Sequence, residues 1–204
     1  MKLLIGTTNA AKAHHFRTLL SDLPIELADL RDTHITEYPK ETGKTFEENA
    51  VTKARFYAKK SSLPCIADDG GLEIDALGGA PGIYSRRWPF LKTGEDREAT
   101  DEEMIAYALE SVRGLPQEKR TAHMTVAVAL VMPDGTVVQG KGSLTGYITE
   151  KPLGKPIKNF PFREILFIPE VNKYFGAFND EELKRYDGRA YALQPIKVYL
   201  KTRI

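Results

Sequence analysis

The chain has one cysteine, Cys65, in 204 residues. That excludes an internal disulfide framework and argues against a cysteine-rich zinc site, so Cys65 is expected to pack as a small hydrophobe. Excess charge of one sign is also missing: 29 basic side chains face 28 acidic ones, a formal net charge of +1. No global basic field therefore draws in nucleic acid or an anionic membrane. Long apolar runs are absent. Met124 to Met132 is nearly apolar, but it is far shorter than the ~20 residues a spanning helix needs. No secretory leader is expected, because Met1-Lys2 runs directly into the strand-like Leu3-Leu4-Ile5-Gly6. Internal repeats and low-complexity tracts are lacking. Histidines are few, and the adjacent His14 and His15 point to different helix faces, so they cannot form an i, i+4 metal pair. No G-x-S-x-G elbow sets up a serine nucleophile. What remains, with 42% apolar and 28% charged residues, is an ordinary soluble chain. A cytoplasmic enzyme or binding protein of one domain is expected.

Pattern along the chain reads as mixed α/β. Leu3 to Gly6 is a buried strand, Thr7-Thr8-Asn9 an N-cap cluster, and Ala10 to Leu20 a helix. Thr33 to Gly43 is polar and irregular. Thr45 opens a second helix to about Lys60, with Phe46, Ala50, Ala54 and Tyr57 at helical spacing. Leu63 to Ala67 and Gly71 to Ile74 read as separate strands, and Asp101 to Val112 as a helix. Pro133-Asp134-Gly135 joins two strands as a hairpin, Ile165 to Ile168 is a strand, and two short helices follow from Asn179. The order predicts a twisted mixed sheet with helices on both faces and an added hairpin lobe, the whole of 1–204 forming one domain of two lobes. A cleft between the lobes is the default site.

Chemistry concentrates in three segments. The first is Ile66-Ala67-Asp68-Asp69-Gly70-Gly71, where adjacent carboxylates at an expected strand end suggest a cation or a proton to abstract. The glycines would admit a ligand close to the backbone; a plain hairpin turn is the alternative. The second is Thr7-Thr8-Asn9-Ala10-Ala11-Lys12, a helix start whose free N–H groups and dipole favour phosphate, with Lys12 in reach. Taken by itself the segment reads first as simple capping by Asn9 with Lys12 solvated. The third is Lys40-Glu41-Thr42-Gly43-Lys44-Thr45-Phe46-Glu47-Glu48-Asn49, in which Thr45 and Glu48 make a capping box. Asn49 and Lys53 share a face of the helix that follows. Arg86-Arg87-Trp88 suits either a phosphate or an interface.

Together these segments resemble the inosine triphosphate pyrophosphatase family. The family's T-G-N-x-x-K appears as Thr7 to Lys12, and T-G-x-T-F-x-E-N-A-x-x-K-A as Thr42 to Ala54. A-D-D-S-G-L-x-[VI]-D-A-L-x-G-x-P-G-[VI]-Y-S-[AS]-R appears as Ala67 to Arg87, with Gly70 in place of serine. The resemblance implies hydrolysis of a nucleoside triphosphate to monophosphate and pyrophosphate, usually by a homodimer and with Mg²⁺. It implies that Asp69 helps hold the metal and accepts the proton of the attacking water, with Lys53 beside it. Thr7, Thr8, Asn9, Lys12, Lys53 and Gly70 would line the phosphate chain. No nucleic acid or membrane partner is implied.

Further departures from the pattern bear on the site. The metal carboxylate falls on Lys40, so Glu41 is the expected substitute, with Asp68 and Asp69 completing the metal ligands. The glutamate expected three residues after Lys12 is His15. The base-recognition segment G-F-G-Y-D-P reads Asn159-Phe160-Pro161-Phe162-Arg163-Glu164, and S-H-R reads Asp187-Gly188-Arg189. Phe160, Arg163 and Arg189 are thus the expected base-side contacts; the phosphate half of the pattern is better kept than the base half, so weaker preference for inosine and xanthosine triphosphates than the family shows, or another preferred base, is expected.

Overall fold

The computed structural model describes residues 1–204 as a mixed α/β fold. The strands are β1 (Lys2–Ile5), β2 (Glu26–Asp29), β3 (Cys65–Ile74), β4 (Ala80–Pro81), β5 (Thr121–Val131), β6 (Val137–Ile148), β7 (Leu166–Ile168) and β8 (Lys173–Tyr174). The helices are α1 (Ala10–Leu19), α2 (Phe46–Ser61), α3 (Asp101–Ser111), α4 (Asp180–Tyr186), α5 (Gly188–Ala192) and α6 (Gln194–Lys201). The strands join in one sheet in the order β2-β1-β3-β5-β6-β7-β8, with β4 against β3. β1 runs parallel to β2 and β3, whereas β6, β7 and β8 pair antiparallel.

The chain divides into two compact units, the first made of 1–70, 126–143 and 183–204, the second of 71–125 and 144–182. In the first, the apolar run of β1 and the face of α1 pack Leu3, Ile5, Phe16 and Leu20 with Ile66, Val128, Leu130, Leu193, Ile196 and Leu200. Asn9 caps α1 and Thr45 caps α2, each accepting backbone N–H bonds that the helix leaves free. Glycines let α5 lie directly on β6. A Cβ at Gly140 would stand 2.0 Å from the Ala192 carbonyl oxygen, and one at Gly142 would stand 2.1 Å from that of Gly188. In the second unit, α3 starts with a capping box of Thr100 and Glu103 and buries Met104, Ile105 and Ala108. The Trp88 and Tyr107 rings meet edge to face, centroids 4.8 Å apart.

Three expectations need correction. Gly71–Ile74 is no separate strand: β3 runs unbroken from Cys65 to Ile74, so Asp68-Asp69-Gly70-Gly71 lies within a strand and not at its end. The left-handed glycines that tight hairpin turns favour occur further on, at Gly78, Gly79 and Gly82. The hairpin strands do not form an added lobe either. The Pro133-Asp134-Gly135 turn is present, with Gly135 donating to the Met132 carbonyl, but β5 and β6 sit between β3 and β7 in the main sheet. Finally, three short helices, not two, follow Asn179, with Leu193 closing α5 and opening α6.

Candidate active site

Successive residues of an extended strand point to opposite sides. β3 uses this to send its two carboxylates into different surroundings, both within the first unit. Asp68 is buried, at 2% exposure. Its Oδ2 accepts from Arg189 Nη2 at 2.7 Å and faces Lys12 Nζ at 3.1 Å. Burial by itself would raise its pKa; Lys12, Arg189 and Lys53 outweigh that and hold the carboxyl far below its ordinary 3.8. Its Oδ1 has no hydrogen-bond partner.

Arg189 is buried as well. Its Nη1 donates to His15 Nδ1 at 2.8 Å, which requires a neutral imidazole carrying its proton on Nε2. That nitrogen faces Asp187 Oδ2 at 3.7 Å, and Asp187 Oδ1 accepts from the Arg189 backbone N–H at 2.7 Å as the cap of α5. His15, Asp187 and Arg189 thus form a continuous polar core beneath Asp68.

Asp69 meets a second set of partners from α2. Lys53 Nζ donates to its Oδ1 at 2.9 Å, and Asn49 Nδ2 to its Oδ2 at 3.0 Å. Asn49 turns its other end to the preceding loop, where Oδ1 accepts the Gly43 N–H at 2.9 Å. A Cβ on Gly43 would stand 2.5 Å from that oxygen, so the loop can close only on glycine. Lys53 also donates to Glu41 Oε2 at 3.0 Å. Burial pulls its ammonium pKa down, but Asp69, Glu41 and Asp68 outweigh it and keep the group above its ordinary 10.5. Lys53 therefore remains a cation at any physiological pH.

At the start of α1, Asn9 Oδ1 accepts the N–H groups of Ala11 and Lys12 at 3.0 and 3.2 Å, and Thr7 Oγ1 accepts that of Asn9 at 3.2 Å. The capping reading is realised here. What this end offers an anion is the Lys12 ammonium and the helix dipole. Thr8 is exposed and Gly70 partly buried. Lys40 is exposed.

The structure thus brings together Lys12, Asp68 and Arg189, and separately Glu41, Lys53 and Asp69. It does not gather Glu41, Asp68 and Asp69 as one ligand triad: no group of three or more histidine, cysteine or acidic side chains is arranged to hold a metal. Asp68 is committed to two cations, and Glu41 and Asp69 are drawn together by Lys53. The donors are nevertheless hard oxygens, one of them the unpartnered Asp68 Oδ1. That chemistry suits Mg²⁺ held by a few carboxylates with substrate phosphates supplying the rest, not an all-protein cage.

In the second unit, Arg163 is buried on the 3-10 turn Pro161–Glu164, its guanidinium 4.2 Å from the Phe160 ring centroid and 4.3 Å from that of Phe175. Phe160 itself is half-buried. Arg189, expected as a base contact, lies at 3% exposure under Asp68. The sequence did not reveal the double grip of Asn49 or the role of His15. The helical spacing of Asn49 and Lys53 was the only signal for the first, and nothing local marks the second.

Comparison with known proteins bears on the family of the chain. The Ham1 family profile matches residues 3–199. A dITP/XTP pyrophosphatase of Thermus thermophilus is 38% identical over 196 residues, covering 96% of this chain and 90% of the relative. One from Shigella flexneri is 38% identical over 195 residues, covering 95% and 94%. The solved structure of the Staphylococcus aureus Ham1 protein superimposes with a TM-score of 0.81 at 27% identity, over 100% of both chains.

Proposed function

The chain belongs to the Ham1 family, and from that membership we infer that it is a nucleoside triphosphate pyrophosphatase that clears non-canonical purine nucleotides such as dITP, ITP and XTP. It releases the monophosphate and pyrophosphate.

The observation that carries this reading is the setting of Asp69. A general base must be ionised and aimed. Asn49 and Lys53 each donate to one oxygen of Asp69, which fixes the plane of its carboxylate. In the proposed step a water oxygen bonds to the α-phosphorus and its proton passes to Asp69. The bond from the α-phosphorus to the α,β-bridging oxygen breaks, and its electron pair leaves with pyrophosphate. Lys53 stays charged throughout and, with Lys12, holds the phosphate chain. Asp68, through its unpartnered Oδ1, would hold Mg²⁺ jointly with the triphosphate, and Glu41 and Asp69 would each offer a carboxylate to it without forming a ready-made triad. Bound there, the ion would neutralise phosphate charge and polarise the phosphoryl group. Asp68, ionised under its two cations, fixes Lys12 and Arg189 in place.

Phe160 and Arg163 are the proposed base-side contacts, an aromatic face and a cation stacked on it. A homodimer and a cytoplasmic location are proposed with the family reading; no helix is long and apolar enough to cross a membrane. The test is incubation with inosine, xanthosine, guanosine, adenosine and pyrimidine triphosphates plus Mg²⁺, scoring pyrophosphate against orthophosphate. Pyrophosphate from the inosine and xanthosine substrates first is expected. Orthophosphate release, or binding with no turnover of any triphosphate, would overturn the reading.

A further inference from the structure

Position 86 is arginine in this chain, where the pattern quoted above has alanine or serine. Its side chain is the hub of a small assembly within the second unit. Arg86 Nη2 pairs with Asp101 Oδ1 at 2.8 Å, Nη1 donates to the Ala99 carbonyl at 3.1 Å, and Nη2 reaches Asn159 Oδ1 at 3.4 Å. The backbone answers in kind, the Ala99 N–H donating to the Arg86 carbonyl at 2.8 Å. Asp101 closes the ring: its Oδ2 accepts the Asn159 N–H at 2.7 Å.

What this assembly holds is an unfavourable backbone. Asn159 sits at φ +67°, a left-handed conformation that asparagine tolerates better than most residues but that still needs support. From there the chain enters Phe160 and the turn Pro161–Glu164. Within it the Arg163 N–H donates to the Phe160 carbonyl at 3.2 Å, and the Arg163 guanidinium lies between the Phe160 and Phe175 rings. One end of the segment is therefore pinned by Arg86 through Asp101 and Asn159, the other by Phe175. Arg86 and Arg163, both departures from the resembled pattern, stand at opposite ends of one connected structure. The Arg86 fork is suited to this task, because a planar guanidinium can meet a carboxylate, a carbonyl and an amide at once where an ammonium cannot.

We propose that Arg86 is a positioning residue for nucleobase selection: through Asp101 and Asn159 it sets the backbone on which Phe160 and Arg163 are presented to the base. This rests on the reading that Phe160 and Arg163 face the base. It predicts an effect on discrimination between bases and none on the grip of the phosphate chain.

The test uses the full chain with R86A, R86K and, as a reference, F160A. Three quantities are measured: kcat and KM for inosine, xanthosine, guanosine and adenosine triphosphates, inhibition by inorganic triphosphate, and amide exchange over 157–165. R86A is expected to change the ratio of kcat/KM between bases about tenfold or more, chiefly through KM, a size in keeping with hydrogen-bonded specificity. Its inhibition constant for inorganic triphosphate should match wild type, and the Phe160 and Arg163 amides should exchange faster. R86K, which keeps the charge but not the fork, should shift the ratio the same way by less; should R86A not fold, R86K carries the test alone. If F160A shifts the base ratio while the Arg86 variants do not, the positioning role is wrong and the base-side reading stands. If F160A leaves the ratio unchanged too, both fall. An equal loss for every nucleotide together with weaker inorganic triphosphate inhibition would also overturn the proposal.

Discussion

Arg189 and Asp68 are paired at 2.7 Å, both sealed from solvent, although one comes from a helix near the C-terminus and the other from β3. A buried ion pair is poor evidence of net stabilisation, but breaking one leaves an uncompensated charge in a low dielectric. Arg189→Ala strips Asp68 of one of its two direct cations and takes the His15 partner with it. We expect a loss of about 3–5 kcal/mol, read as a lower urea midpoint at unchanged slope. A loss within about 1 kcal/mol would show that Lys12 alone satisfies Asp68, as for an ordinary exposed pair.

The same pair sets a pH dependence. Asp68 has a folded-state pKa held below its ordinary 3.8. A group depressed on folding contributes stability above its unfolded pKa and loses it as pH falls through the folded one. Asp68→Asn cannot titrate. Its stability deficit against wild type should be full at neutral pH and shrink as pH drops below 3.8. Urea titrations of both proteins along a pH series check this. A deficit that stays constant from neutral pH into acid would mean that folding does not shift the Asp68 pKa.

Asp69→Asn tests the chemistry. The variant keeps the shape of the side chain, and Lys53 keeps Glu41 as a partner. Turnover should fall about a hundredfold or more, as expected for loss of a general base, while the melting temperature stays near wild type. Pyrophosphate release by the purified, folded variant at a wild-type rate would remove Asp69 from the mechanism.

Much of this was legible in the chain, and the boundary has a physical cause. Capping and helical spacing are local, so α1 and α2 were read nearly residue by residue from Asn9 and Thr45, and α3 to within a residue at its end. The hairpin between β5 and β6 was marked by Pro133-Asp134-Gly135, but a turn says nothing about where its strands insert, and their place inside the sheet went unread. Asp68-Asp69-Gly70-Gly71 looked like a turn because glycine permits one; burial of Ala67 and Leu72 on either side keeps it extended instead. The partners of Asp68 lie 56 residues before it and 121 after it, as read from Lys12 and Arg189, and no local pattern encodes such a meeting.

Glu41 is half-exposed and bonded to Lys53, so it can turn toward a cation without unpacking the core. Glu41→Gln should raise the Mg²⁺ concentration needed for half-maximal rate, with less effect on the rate at saturating Mg²⁺, since a neutral amide is the weaker ligand for a hard cation. A Mg²⁺ titration of the rate decides it. An unchanged Mg²⁺ profile would leave the ion to Asp68 and Asp69 alone.

The last expectation concerns a residue with no polar side chain. Gly142 on β6 lets the backbone of α5 approach so closely that an added Cβ would stand 2.1 Å from the Gly188 carbonyl oxygen and 2.8 Å from Tyr191 Cβ. Neither neighbour is the far end of a flexible chain, so α5 itself must move. α5 carries Arg189, and Asp187 caps it. Gly142→Ala should therefore do two things. It should destabilise the fold by about 1–3 kcal/mol, as overpacking does. It should also draw Arg189 away from Asp68, which loosens Lys12 and lowers turnover beyond what the unfolded fraction explains. Thermal melts and kcat, measured on the same sample well below the melting temperature, separate the effects. A variant that melts early but turns over normally would show that α5 shifts without disturbing the ion pair; one that matches wild type in both would show that β6 yields instead.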